Sequence, residues 1–236
     1  MTSYLLPGYV QCNLVVLPRT DAFDFLLYCQ RNPKACPVIK VTDPGDPEPR
    51  FSAPGADVRR DLGRYAVYRD GALVGETTDI LDLWTRESVA FLIGSSMSFD
   101  HLLEQAGIPR SQIWMLDTCV ATRPAGKFHG SLVVTMRLMT RAQAAEAARI
   151  TAGLPLLHGA PVHIGDPAII GAHVLQPRFG PPISEIPPHL VPVFWACGVT
   201  PQAAAVTSKI PLMISHVSGH AFLTDLKTGQ LGLAWE

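Results

Sequence analysis

The sequence predicts an α/β protein of two lobes, in which helices layer a mixed β-sheet and a smaller α+β lobe adjoins it. Hydrophobic residues make up 47% of the 236 positions, enough to bury a sizeable core. Short apolar runs alternate with helical patterns, as in layered α/β sheets. Because residues 42–60 are crowded with Pro, Gly and Asp, we expect one unit of interleaved lobes with a boundary loop there.

The N-terminal part predicts a strand, a helix and a second strand. Residues 11–18 are rich in β-branched side chains and end at a proline, which is typical of a strand and its end. Thr20 is a good N-cap for a following helix, which we expect to end at Asn32. A short strand is predicted at 38–41.

A hairpin and a helix are predicted next. Asp70 and Gly71 separate two short β patterns and tolerate positive φ, which favours a type I′ turn. Residues 99–106 place their apolar side chains on one helical face, and Gly107 is suited to the position just after the helix.

The C-terminal half repeats the alternation of strand and helix. Thr140 and Gln143 form a capping-box pattern ahead of an alanine-rich helix that runs to Ala152. Strands are predicted at 132–138, 191–198, 212–217 and 220–226, and a helix at 200–209.

Composition excludes several classes of partner. The net charge is -1 and the basic residues are scattered, so nucleic acid is not an expected partner. Every apolar run is far shorter than the roughly 20 residues of a membrane span. The first ten residues lack the pattern of a secretory signal, and the five cysteines form no C-x-x-C pair, so we expect a cytoplasmic protein.

The strongest candidate site lies in VFWACGVTPQAAA, where a strand ends at Cys197 and Gly198. Thr200 suits the N-cap and Pro201 the first position of the helix that follows. The free N–H groups of that helix could hold a carboxylate, and its positive end could lower the pKa of the thiol. The alternative is that Cys197 is a small buried residue.

A second candidate is HGAPVHIGDPAIIG, which places His158, His163 and Asp166 in one loop. Histidine can transfer protons near neutral pH, and an aspartate can orient an imidazole. Equally, Asp166 can cap a short helix that begins at Pro167, and the histidines can bond the backbone.

Two further patterns could contact a ligand. His216 ends an apolar strand and His220 opens the next. Together with His158, His163 and Asp166 they could hold zinc. Gly219 argues against the helix that would align the two rings, so a metal site is weakly supported. Arg123 begins a cationic Pro-Ala-Gly turn that could meet an anion or simply be solvated.

Seven blocks carry a resemblance to a known family: GYVQCNLVVLP, DFLLYCQRNPKACPVI, APGADVRRDLGRYAVYRDG, RPAGKFHGSLVVTMR, HGAPVHIGDP, VFWACGVTPQAAA and HVSGHAFLTD. In this order they resemble the D-glutamate cyclase-like hydro-lyase family from about Gly8 to Asp225. The resemblance implies a hydro-lyase that acts on a small amino or oxo acid. Its reference reaction is the cyclisation of D-glutamate to 5-oxo-D-proline.

The resemblance also implies a cleft where the matched residues converge. We expect His158 and His216 to transfer protons there, assisted by Cys197, His163 and Asp166. The residues expected to bind the substrate are Arg123, Gly198, Thr200, Gln202 and His220. Neither a metal nor a cofactor is expected, and the protein could form a homo-oligomer.

Three alternatives remain from the sequence. Cys197 could be a nucleophile that forms a thioester. Relatives in that family usually carry an extra segment before Pro7 and a longer loop before Arg123. Both are shorter in this sequence, which would suit a catalytically weakened protein that binds a small carboxylate. Finally, the histidines could serve a metal-dependent hydrolase.

Overall fold

A computed structural model describes residues 5–231, and within that range the α/β class is confirmed. The strands are β1 (Tyr9–Pro18), β2 (Val38–Val41), β3 (Tyr65–Arg69), β4 (Ala72–Thr77), β5 (Ser88–Gly94), β6 (Trp114–Ala121), β7 (Ser131–Met139), β8 (His163–Ile164), β9 (Val191–Ala196), β10 (Leu212–His216) and β11 (Phe222–Lys227). The helices are α1 (Arg19–Arg31), α2 (Asp100–Gln105), α3 (Arg141–Ala152) and α4 (Thr200–Thr207).

The larger sheet has seven strands and is built around β1. Its order is β2-β5-β1-β10-β3-β4, and β11 also pairs with β1. Along β1, Leu14 and Val16 pack in one core cluster, whereas Val15 and Leu17 pack in another on the opposite face. Because both faces are covered, β1 reads as a continuous apolar run and not as an alternating one.

The smaller sheet has four strands in the order β6-β7-β9-β8. Trp195 of β9 packs in the same cluster as Leu14 and Leu92 of the larger sheet, while Phe194 faces a separate cluster. The two sheets therefore share a hydrophobic core. Every strand pair among residues 5–231 is antiparallel, which differs from the mixed sheet expected from the sequence.

Three local predictions are confirmed. Thr140 and Gln143 form the capping box of α3. Asp70 and Gly71 connect β3 to β4 with φ of 49° and 80°, as a type I′ turn requires. The predicted helix after residue 98 is also present, as a 3₁₀ turn that continues into α2.

Two predicted helix starts are wrong. Pro18, not Thr20, caps α1, because the strand runs directly into the helix. Val199 takes the cap position of α4, and Thr200 already lies within the helix with its hydroxyl bonded elsewhere. The start of α4 consequently has no side-chain cap.

The pairing of β1 decides which strand ends meet. Val15 lies opposite Ser215 of β10 and, on its other side, opposite Phe91 of β5. The carboxyl ends of β5 and β10 therefore flank the middle of β1, and the end of β9 approaches them from the smaller sheet. No helix among the described residues is long and apolar enough to cross a membrane.

Candidate active site

A cavity of about 130 Å3 lies where these strand ends meet, and both sheets contribute to its walls. The lining residues are Asn13, Ser95, Ser96, Met97, Ile113, Met115, Thr135, Phe179, Cys197, Gly198, Val199, His216, Ser218, Gly219 and Ala221. None of them is an aspartate, a glutamate, a lysine or an arginine. Any ligand of this cavity would therefore be held by neutral polar groups and apolar contacts.

Asn13 of β1 forms a polar part of the wall. Its side chain is buried, and Nδ2 donates a hydrogen bond to the carbonyl oxygen of Gly94 at 3.1 Å. The same amide lies directly against the backbone of Gly198, where a Cβ atom would overlap it. Only glycine at position 198 leaves room for this contact between the two sheets.

His216 ends β10 and faces the cavity, with 6% of its surface exposed. The backbone N–H of Leu14 donates to Nδ1 at 3.3 Å, and Nε2 of Gln202 lies 2.9 Å from the same nitrogen. Burial lowers the pKa of His216 to about 4, so the ring is neutral near pH 7.

Cys197 lines the cavity at the end of β9, but its environment does not favour a thiolate. Burial raises the pKa of the Cys197 thiol to about 11, against the smaller opposing effect of the Val199 N–H. The expectation of a lowered thiol pKa is therefore wrong, because the loss of water outweighs the helix start. The thiol is protonated near neutral pH.

Thr135 reaches the cavity from β7, and its buried Oγ1 makes no hydrogen bond inside residues 5–231. This hydroxyl can donate and accept, and no group in the described part of the chain uses either capacity. Two positions further along the same strand, Arg137 pairs with Asp100 in the protein interior. Neither Arg137 nor Asp100 lines the cavity, so the lining stays neutral.

Three of the expected substrate-binding residues support the cavity instead of lining it. Gln202 contacts His216, as described above. The Thr200 hydroxyl bonds both the N–H and the carbonyl oxygen of Val133, which fixes the start of α4 to β7. His220 lies in the turn after β10, where its Nδ1 donates to the Ser218 carbonyl.

His158 does not reach the cavity, contrary to the expected convergence. Its backbone is left-handed, with φ of 76°, and its side chain is fully buried with Nδ1 donating to the Lys34 carbonyl at 2.9 Å. Burial lowers the pKa of His158 to about 4, against the opposing effect of the Lys34 and Gly94 carbonyls. The His158 ring is therefore not part of the cavity lining.

His163, Asp166 and Arg123 also lie outside the cavity lining. Nε2 of His163 donates to the backbone carbonyl of Asp166 at 2.8 Å. The Asp166 carboxylate accepts from the N–H of Ala168, so it caps a short 3₁₀ helix as one reading of the sequence allowed. Arg123 is exposed, and its backbone is bonded to Asn32 beside α1. Arg123, His158 and His163 therefore do not converge with Cys197 and His216.

The histidines do not assemble a metal site. No group of three or more His, Cys, Asp or Glu side chains within residues 5–231 is arranged to hold a metal ion. The hydrolase alternative therefore has no ligand set in the described part of the chain.

Four polar residues of the lining were not expected at the site from the sequence: Asn13, Ser95, Ser96 and Thr135. Asn13 comes directly before the apolar run LVVL, and a buried amide at such a position indicates a required partner. Ser95 and Ser96 follow the apolar run of β5 and its glycine, which is the same strand-end pattern that identified Cys197.

Comparison with known proteins first identifies the class. A protein named "putative hydro-lyase" from Geobacillus kaustophilus is 50% identical over 239 residues, which cover 98% of this chain and 90% of the relative. A second protein of that name from Stutzerimonas stutzeri is 49% identical with the same coverage. A third, from Bacillus pumilus, is 48% identical, again over 98% and 90% of the two chains. The chain therefore belongs to the same family as these proteins named "putative hydro-lyase".

The particular family follows from a family model. The model described as D-glutamate cyclase matches residues 89–225. The chain therefore belongs to the D-glutamate cyclase family. Every cavity-lining residue except Asn13 falls inside the matched segment.

Proposed function

We propose that this protein is a hydro-lyase that removes water from a small amino or oxo acid bound in the cavity. The cyclisation of D-glutamate to 5-oxo-D-proline is the reference reaction. The observation that carries this proposal is the neutral cavity between the two sheets, where His216 faces the uncapped start of α4. Family membership supports the reaction class.

The start of α4 supports binding of a carboxylate. Its cap residue Val199 provides no side-chain hydrogen bond, and both Gly198 and Val199 line the cavity. The Thr200 N–H already donates to the Cys197 carbonyl at 2.9 Å and Pro201 has no N–H, so it is the positive end of the helix dipole that favours an anion here. A substrate carboxylate would therefore be bound without a cationic side chain, and Arg123 is not required.

The reaction needs positioned hydrogen-bonding groups more than charged ones. In the cyclisation the amine nitrogen forms a bond to the side-chain carboxyl carbon, and one carbon–oxygen bond breaks. The ammonium nitrogen gives up two protons, and the departing oxygen takes two and leaves as water. Groups that orient the amine and stabilise the oxygen charge that develops during attack lower the barrier. Asn13, Ser95, Ser96 and His216 surround the cavity and can supply these contacts.

The proposal is tested by incubating the purified protein with D- and L-amino acids and with 2-oxo and 2-hydroxy acids. Mass spectrometry should detect a product that is lighter by one water molecule. Asn13→Ala should lose most of this activity, whereas Arg123→Ala, outside the cavity lining, should retain it. Absence of any dehydrated product would contradict the proposed reaction.

Two outcomes would redirect the assignment. A ligand that raises the melting temperature without being converted would support the binding-protein alternative. Activity that a chelator abolishes and added zinc restores would support a metal-dependent enzyme instead.

A further inference from the structure

The two nitrogens of the His216 ring have different surroundings. Nδ1 is 3.3 Å from the backbone nitrogen of Leu14 and 2.9 Å from Nε2 of Gln202. Nε2 makes no hydrogen bond within residues 5–231, and the ring lines the cavity. Nε2 is therefore the nitrogen that remains for a ligand.

The Leu14 contact decides where the ring carries its proton. A backbone N–H can only donate, and Leu14 is held in the centre of the larger sheet by its pairing with Leu92. Nδ1 must therefore accept, and a neutral imidazole that accepts at Nδ1 carries its hydrogen on Nε2. The orientation of the Gln202 amide is assigned from its partner. Because Nδ1 accepts from Leu14 and carries no hydrogen, the Gln202 group beside it must be the NH2 donor and not the amide oxygen.

We propose that His216 presents a fixed Nε2–H donor to the cavity and that Gln202 is the positioning residue that holds the ring in this form. That this donor acts on a substrate oxygen rests on the proposed function. There it would polarise the carboxyl group under attack and would not take a proton from the amine. A neutral imidazole that donates to a carbonyl oxygen is an effective form of such catalysis.

Gln202 and Gln143 provide a matched pair for testing this proposal. Each is the third residue of its helix, counting from the first residue of α4 or α3. Gln202 contacts His216, whereas Gln143 bonds Thr140 in the capping box of α3. Replacing either with methionine removes the amide at similar size, but only one of the two changes reaches the ring.

The experiment is long-range proton–nitrogen NMR of the full-length, nitrogen-15-labelled protein near pH 7. The His216 signals are assigned by their loss in His216→Gln. We expect the pattern of an Nε2-protonated ring, with Nδ1 at the chemical shift of a nitrogen without hydrogen. In Gln202→Met the Nδ1 signal should move to higher chemical shift, because the nitrogen loses one of two accepted hydrogen bonds.

Each result decides the proposal. A ring protonated at Nδ1, or one that exchanges between both forms, would overturn it. So would a Gln202→Met spectrum in which Nδ1 moves no further than in Gln143→Met. The NMR measurement uses no substrate. A failure to find the dehydrated product would therefore contradict the proposed function but not the assigned form of the His216 ring, so the two failures are distinguishable.

Discussion

The side-chain amide of Asn13 lies against the Cα atom of Gly198, so that β1 of the larger sheet touches the chain just after β9 of the smaller one. Asn13 is also bonded to the carbonyl of Gly94 at the end of β5. One buried amide thereby joins three segments that are far apart in the sequence.

A methyl group at position 198 should disrupt this junction. Gly198→Ala would place a Cβ atom on the Asn13 amide and close to the Gly94 carbonyl, so Asn13 must leave its hydrogen bond. Overpacking of this kind costs about 1–3 kcal/mol, and we expect at least a tenfold loss of activity with it. Urea denaturation and the dehydration assay measure both effects.

Gly75→Ala is the control for that substitution. A Cβ atom at Gly75 on the exposed strand β4 meets nothing within 4 Å. The variant should keep full activity, and equal losses in both variants would refute a specific role for the Asn13–Gly198 contact.

The Cys197 thiol should be dispensable for the chemistry. Because burial raises its pKa to about 11, Cys197→Ser should retain turnover within about threefold. His216→Gln, in contrast, removes the ring that faces the cavity and should lower kcat by about 10²-fold. Steady-state kinetics on the substrate found by screening compare the two. A serine variant as inactive as the glutamine variant would favour the thioester route.

Stability should fall as the pH drops from about 6.5 to about 4. Unfolded histidines take up a proton near pH 6.5, whereas burial keeps His158 and His216 neutral in the folded protein until about pH 4. Between these values the unfolded chain binds more protons, so acid favours unfolding. At about 1.4 kcal/mol per pH unit the loss is on the order of 3 kcal/mol for each ring.

The measurement is the free energy of unfolding in urea at a series of pH values. His216→Gln should remove roughly half of the decrease in this window, since one of the two rings is then absent. A decrease of unchanged size in the variant would show that His216 titrates normally.

The buried pair of Arg137 and Asp100 should be important for stability. Their side chains are only 5% and 4% exposed and are joined at 2.6 Å, and the guanidinium lies against the rings of Phe99 and Trp195. Arg137→Met leaves a buried carboxylate unpaired, which typically costs about 3–5 kcal/mol. Burial raises the pKa of Asp100, against the pull of Arg137, so the cost should shrink at low pH as the carboxyl is protonated.

Arg149→Met provides the comparison, because Arg149 pairs with Glu146 on the exposed surface of α3. Its free energy of unfolding should match that of the wild type within error. If the two variants are equally stable, the buried pair has no special role.

The sequence predicted the features that depend on near neighbours. The capping box at Thr140, the turn at Asp70 and the position of Cys197 at a strand end each follow from a few adjacent residues. The start of α4 was misplaced by one residue, because the Thr200 hydroxyl bonds Val133 of another strand, a contact that no local pattern contains.

The convergence of site residues could not be predicted in the same way. From the sequence His158 and His216 were expected to share one role, but the His158 backbone is left-handed and its side chain is buried in the core. Asn13 looked like an ordinary strand residue until the pairing of β1 placed it between the ends of β5 and β9. These outcomes depend on sheet register, which links positions about 200 residues apart.

The contact between Leu14 and His216 has a consequence for when the cavity can form during synthesis of the chain. Leu14 leaves the ribosome early, but its partner is made 202 residues later. At about 5–20 residues per second this interval is roughly 10–40 s, during which β1 has no β10 beside it. The cavity therefore stays incomplete until β10 of the larger sheet has been translated, so a product that terminates earlier lacks the contact between Leu14 and His216.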